Sequence, residues 1–143
     1  MSALKPAQPG ESALAVAVAH GEQAAGVGFD WPDALGVLDK VREELGELEE
    51  ALGASGGRAD AAVHHELGDL LLALTSLARA LKVDAEGALR AADDRFVARF
   101  TTMEALAAAR GASLDGMDAG ALDALWREAK ARLAAPFPSR GGD

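Results

Sequence analysis

The sequence predicts an all-α protein, a helical bundle built on an antiparallel helix hairpin. Three observations carry this. Apolar residues make up 50% of the 143-residue chain, and Ala and Leu dominate them while aromatic residues are only 4%, a bias toward helix and away from sheet. Apolar positions recur at three- and four-residue spacing over segments too long to be strands. A Gly-rich link, GASGGR at 53–58, separates two such segments and turns the chain back on itself.

Taken in order, residues 1–11 hold two prolines and no periodic pattern, so a flexible lead is expected. A first helix runs from Ser12 to about Ala25, with Leu14 and Val18 at helical spacing. The loop VGFDWPD follows at Val27 to Asp33, and Asp30 or Trp31 before Pro32 reads as a helix start with Pro in the first turn. The second helix reaches about Leu52, with Leu35, Leu38, Val41, Leu45, Leu48 and Leu52 facing inward, and Gly53 ends it. The third spans Asp60 to Leu81, with Val63, Leu67, Leu70, Leu71, Leu74, Leu77 and Leu81 inside. Asp84 caps a fourth helix that stops at Gly111, and Asp118 starts a fifth that ends before Pro136. Residues 136–143, PFPSRGGD, are expected to form a flexible tail, leaving one domain over 12–135. A hairpin of this size leaves an apolar face open, which a homodimer would cover.

Composition excludes several function classes. A net charge of −9 argues against a nucleic-acid polymer as a general partner, because such binding needs a basic surface. The acidic balance suits a protein that holds divalent cations, although solubility is the commoner reason for it. With no cysteine, disulfides, thiolate nucleophiles and thiolate zinc sites are excluded. Neither a secretory signal nor a membrane-spanning run is evident, so no membrane partner and a cytoplasmic location are expected.

The strongest local feature is an internal echo. Glu44 to Leu48 reads ELGEL, and Glu66 to Leu70 reads ELGDL. At about 100° per residue, Glu44 and Glu47 share one flank of the second helix's apolar stripe, and Glu66 and Asp69 share the matching flank of the third. An antiparallel hairpin relates the pairs by an approximate two-fold axis, so four carboxylates converge beside one seam. Such a set repels itself unless a cation or protons neutralise it, and hard divalent cations favour all-oxygen ligands. Magnesium fits, and manganese also would. Solvated acidic faces are common on helical hairpins, and that alternative stands beside the metal reading. Gly46 and Gly68 at matching offsets suggest close helix packing. A di-iron bundle needs Glu-x-x-His pairs, and neither His64 nor His65 has a Glu three residues before it.

Glu43, Glu44 and Glu47 form EExxE, and Glu66 with Asp69 forms ExxD. Together they resemble the signature of the all-α nucleoside triphosphate pyrophosphohydrolases, and more narrowly the MazG-type family. The resemblance extends over VGFDW, LDKVREELGELEEAL, HELGDLLLALTSLARAL, ALRAADDRFVARF and LDALWREAK, in the family's order between about Ala24 and Lys130.

This resemblance implies hydrolysis of a nucleoside triphosphate between the α and β phosphorus, with Glu44, Glu47, Glu66 and Asp69 holding magnesium. It also implies Glu43 as the residue that positions or deprotonates water, and Arg95 and Arg99 as triphosphate contacts. Trp126 and Lys130 become substrate contacts, against the alternative that Trp126 anchors a core. Phe29 and Trp31 would stack on the base, or else staple the start of the second helix. Lys40 stands one turn before Glu44, as a substrate contact or as a charge partner of the acidic cluster. Asp93 departs from the Asn common among relatives, and AHGEQAAG before VGFDW lacks the family's basic residues. A housecleaning role in the nucleotide pool is expected. The alternatives are a narrow dUTP, dCTP or phosphoribosyl-ATP pyrophosphohydrolase, or a non-catalytic helical dimer that binds nucleotides or a protein.

Overall fold

A computed structural model describes residues 2–134 and shows five α-helices and no strand among them. They are α1 (Ala13–Gly26), α2 (Ala34–Ala54), α3 (Ala61–Ala80), α4 (Ala85–Ala109) and α5 (Ala119–Ala134). The expected tail at 136–143 lies outside the described residues. The chain divides into two compact units, Met1–Ala88 and Leu89–Asp143.

In the first unit, α2 and α3 pack along their length as an antiparallel hairpin, and α1 packs on α3. Each helix starts where a side chain satisfies an orphan backbone donor. Ser12 accepts from Ala15, Asp33 from Gly36 and Asp60 from Val63. The cap of α2 is therefore Asp33, and Pro32 precedes it rather than opening the helix; Asp30 is engaged elsewhere. Residues 2–12 form no helix, but they are tied to α1, because Lys5 donates its backbone N–H to Gln23 and His20 Nε2 meets the Lys5 carbonyl.

Four helices end in one motif. The sixth residue donates back to the first (Phe29 to Ala24, Gly57 to Leu52, Val83 to Ala78, Ala112 to Ala107), and the fifth donates to the second. The residue between must take a left-handed conformation. Gly28, Gly56 and Gly111 do so at φ 88°, 65° and 69°, but α3 uses Lys82 at φ 57°. Gly53 thus lies inside α2, and the turn is made by Gly56 and Gly57.

The inward faces differ from the expected stripes. The least exposed line of α2 runs Val37, Val41, Glu44, Leu48, Ala51 and Ser55, and that of α3 runs Val63, Glu66, Leu70, Ala73, Leu77 and Ala80. Leu35, Leu45 and Leu52 on α2, Leu67, Leu71 and Leu74 on α3, and Leu81 just past its end are instead exposed. The reason is width: the apolar arc of each helix is broader than one hairpin seam can cover. Gly46 and Gly68 do not mark close packing, since a Cβ at either position would meet nothing within 4 Å.

In the second unit, Met103, Leu106 and Ala107 of α4 pack with Leu125 and Ala129 of α5, sealed by Leu114, Met117, Leu122 and Trp126. Asp118 caps α5 as expected, accepting from Ala121. Arg110 and Glu128 pair at 2.6 Å, which holds the Glu128 carboxyl below its ordinary range.

Lys82 carries the strain that a Cβ brings to a left-handed residue. Lys82→Gly should stabilise the protein by about 0.5–1 kcal/mol in urea unfolding. A loss of stability would show that the Lys82 side chain matters more than its backbone.

Candidate metal centre and cleft

The hairpin delivers carboxylates from both of its helices to one place. Oxygens of Glu44, Glu47 and Glu66 lie within 4.8 Å of one another. His65, Glu66 and Asp69 form a second such set, so Glu66 belongs to both. Glu44 and Glu66 occupy the buried lines of their helices rather than the flanks, while Glu47 is exposed and Asp69 half-buried. The acidic echo is therefore part of the seam. His65, which the spacing argument set aside for a di-iron centre, sits 3.3 Å from Asp69 and is mostly exposed.

Glu44 is only 6% exposed. Lys40 Nζ reaches one of its oxygens at 2.6 Å and Glu43 at 3.1 Å, and these two carboxylates raise the Lys40 pKa. The other oxygen, Glu44 Oε2, is buried and has no hydrogen-bond partner. A buried anionic oxygen left unpaired is costly. Glu47 reports the same crowding: the Glu44 charge, then desolvation, then Glu66 push its carboxyl pKa up. An orphaned buried oxygen in an all-oxygen donor set fits a hard divalent cation. The cluster can hold a metal ion.

A cleft of about 290 Å³ adjoins this centre. Glu44, Asp69 and Lys40 line it together with Phe29 and Trp31, so the loop aromatics and the acidic centre share one concavity. Phe29 is 78% exposed, which argues against a packing staple for that ring. Lys40 is the charge partner of Glu43 and Glu44 and a lining residue as well. Sequence reasoning missed Arg79, which also lines the cleft and grips Asp30 through two hydrogen bonds of 2.6 and 2.8 Å. No local pattern marks that pair, because its members are far apart in sequence.

The remaining expected contacts lie in the second unit. The Arg99 guanidinium stands 5.7 Å from the Trp126 ring, and Phe96 packs on the same ring. Trp126 is half-buried against the α4–α5 core, as the core-anchor alternative requires. Arg95 and Lys130 are exposed and contact no described residue through a charge. No described helix is long and apolar enough to cross a membrane.

No family model matches the chain. Curated relatives that share most of it are named as nucleoside triphosphate pyrophosphohydrolases. One is the nucleoside triphosphate pyrophosphohydrolase/pyrophosphatase MazG of Thermotoga maritima, 42% identical over 118 residues that cover 82% of this chain and 44% of that protein. Another is the nucleoside triphosphate pyrophosphohydrolase of Escherichia coli K12, 40% identical over 110 residues, 76% of this chain and 41% of that protein. A shorter match, 42% over 65 residues, reaches the uncharacterized protein YabN of Bacillus subtilis. The chain thus spans less than half the length of these relatives, and the MazG-type resemblance read from its sequence blocks is borne out by the names of the Thermotoga maritima and Escherichia coli proteins.

The carboxylate crowding makes a thermal prediction. Because the Glu47 pKa is raised, its stability contribution is full at acid pH and is lost as pH rises through that raised value. At neutral pH a cation should restore it, and millimolar magnesium or manganese should raise the Tm by several degrees. Glu47→Gln should match or exceed the wild type in EDTA and gain less from the cation. An equal cation response in both proteins would contradict this site.

Proposed function

We propose that this chain is a nucleoside triphosphate pyrophosphohydrolase, breaking the anhydride between the α and β phosphorus to release a monophosphate and pyrophosphate. The observation that carries the reading is the buried, unpartnered Glu44 Oε2 among Glu47 and Glu66, beside a cleft with two aromatic side chains. The names of the curated relatives support the same reaction.

Glu44, Glu47, Glu66 and Asp69 would hold magnesium, or manganese in its place. Bound there, the cation supplies Lewis acidity and offsets polyphosphate charge. Glu43, more exposed than Glu44, would orient the attacking water and accept its proton, with Lys40 fixing the carboxylate. Phe29 and Trp31 would receive the base. By the resemblance, Arg95, Arg99 and Lys130 would contact the polyphosphate and Trp126 the substrate. Housecleaning of the nucleotide pool in the cytoplasm is the role we assign.

We also propose a homodimer. Its support is the exposed line Leu67, Leu71 and Leu74 on α3, continued by Leu81 just past its end, with Leu45 and Leu52 on α2, at spacings suited to helix-on-helix packing.

Incubation with a panel of nucleoside and deoxynucleoside triphosphates plus magnesium should yield monophosphate and pyrophosphate. Glu47→Gln should cut turnover at least a hundredfold, about 2.7 kcal/mol of barrier, with helix content intact. Release of diphosphate and phosphate, or near wild-type turnover in Glu47→Gln, would overturn the assignment. One favoured member of the panel would identify a narrow specificity.

Light scattering at micromolar concentration should report twice the chain mass of 14.6 kDa. Leu71→Glu with Leu74→Glu should shift it to the single-chain mass. A wild-type monomer would overturn the dimer.

A further inference from the structure

The loop between α1 and α2 presents Phe29 and Trp31 to the cleft, yet packing holds neither ring firmly, as their 78% and 39% exposures show. Between them stands Asp30. Its carboxylate accepts from Arg79 Nη1 at 2.8 Å and Nη2 at 2.6 Å, a fork-on-carboxylate geometry that fixes direction as well as distance. Asp30 Oδ1 also accepts from the Trp31 backbone N–H at 2.8 Å. One carboxylate therefore fastens the backbone between two aromatic residues to the last turn of α3.

Arg79 is set up for this task. Its side chain is 14% exposed, and the Asp30 bond keeps its pKa raised while lowering that of Asp30. Space for the guanidinium on the α1 side exists because residue 21 is Gly: a Cβ there would stand 3.1 Å from Arg79 Nε. Nε itself is buried and finds no acceptor. An unmade bond of that kind costs about 1–3 kcal/mol. Local stability alone does not account for an arrangement that leaves a buried donor unused while both terminal nitrogens reach across to the loop.

We propose that the Asp30–Arg79 pair is a positioning device, which holds Phe29 and Trp31 at the cleft so that they take the nucleoside end of the substrate. Arg79 touches no reacting atom in this scheme. The inference deepens the triphosphate reading above and rests on it for the identity of the substrate, while the clamp itself is a property of the chain.

The test combines two probes. With Trp126→Phe, Trp31 is the only remaining Trp of two, and acrylamide quenching then reads its exposure. Arg79→Gln and Asp30→Asn should each raise that quenching about twofold while circular dichroism stays unchanged, and Arg79→Lys, which keeps charge but loses the fork, should fall between. In the otherwise wild-type chain, calorimetry with magnesium compares a non-hydrolysable nucleoside triphosphate with inorganic tripolyphosphate. Both variants should weaken nucleotide binding about three- to tenfold, up to about 1.4 kcal/mol, and leave tripolyphosphate binding unchanged. Unchanged quenching would overturn the clamp. An equal loss of both ligands, or a wild type that binds nucleotide no better than tripolyphosphate, would overturn the nucleoside-positioning role. If the wild type binds nucleotide but hydrolyses none, the activity reading fails and the positioning device stands.

Discussion

The structure of the first unit turns on one buried charge. Glu44 lies in the seam between α2 and α3, with Glu47 and Glu66 within 4.8 Å. Like charges that close repel one another, which pushes the Glu47 carboxyl pKa up. Lys40 answers one oxygen of Glu44 and leaves the other without a partner. The seam of the hairpin places an acid where a hydrophobe would ordinarily sit. Fold and chemistry are therefore coupled at a single residue, and the cleft, its lysine and its loop are arranged around it.

Much of this was legible in the sequence, and the limits have physical causes. Five helices and their caps at Ser12, Asp60 and Asp118 followed from periodicity and side-chain acceptors, which are local signals. The acidic echo located the carboxylates because a helical wheel needs only spacing. The wheel failed on burial: it centred the stripe on leucines, whereas the seam runs through Val37, Glu44 and Ala73 and leaves Leu35 and Leu71 outside. A wheel assigns a face but cannot say how much of that face a neighbour covers. Pro32 and Gly53 misled at their boundaries, since proline and glycine mark a turn without fixing which residue caps it. The Asp30–Arg79 pair was invisible because nothing in a single sequence links residues that distant.

The two units carry different physical features. In Met1–Ala88, crowded negative charge adjoins a concavity lined by Phe29 and Trp31. In Leu89–Asp143, Arg99 lies beside the Trp126 ring and Phe96 packs on the same ring. Trp126 serves a core and an exposed face at once, so the question whether it anchors or binds has no exclusive answer at the level of packing. Arg95 and Lys130, by contrast, are exposed on α4 and α5.

The recurring helix terminus has a practical meaning. At 24–29, 52–57, 78–83 and 107–112 the chain closes four helices with the same pair of main-chain hydrogen bonds. Side chains add to two of these bends: Ser55 Oγ donates to the Leu52 carbonyl and accepts from the Arg58 N–H, and Arg79 reaches Asp30. The bend after α2 also bears the adjacent glycines Gly56 and Gly57 and is followed by the exposed Arg58. A foreign segment grafted after Arg58, such as an epitope or a tether to a surface, would leave both the main-chain closure and the two Ser55 bonds in place. The protein therefore offers a handle on the side of the molecule made by backbone geometry, separate from the carboxylates and the aromatic loop.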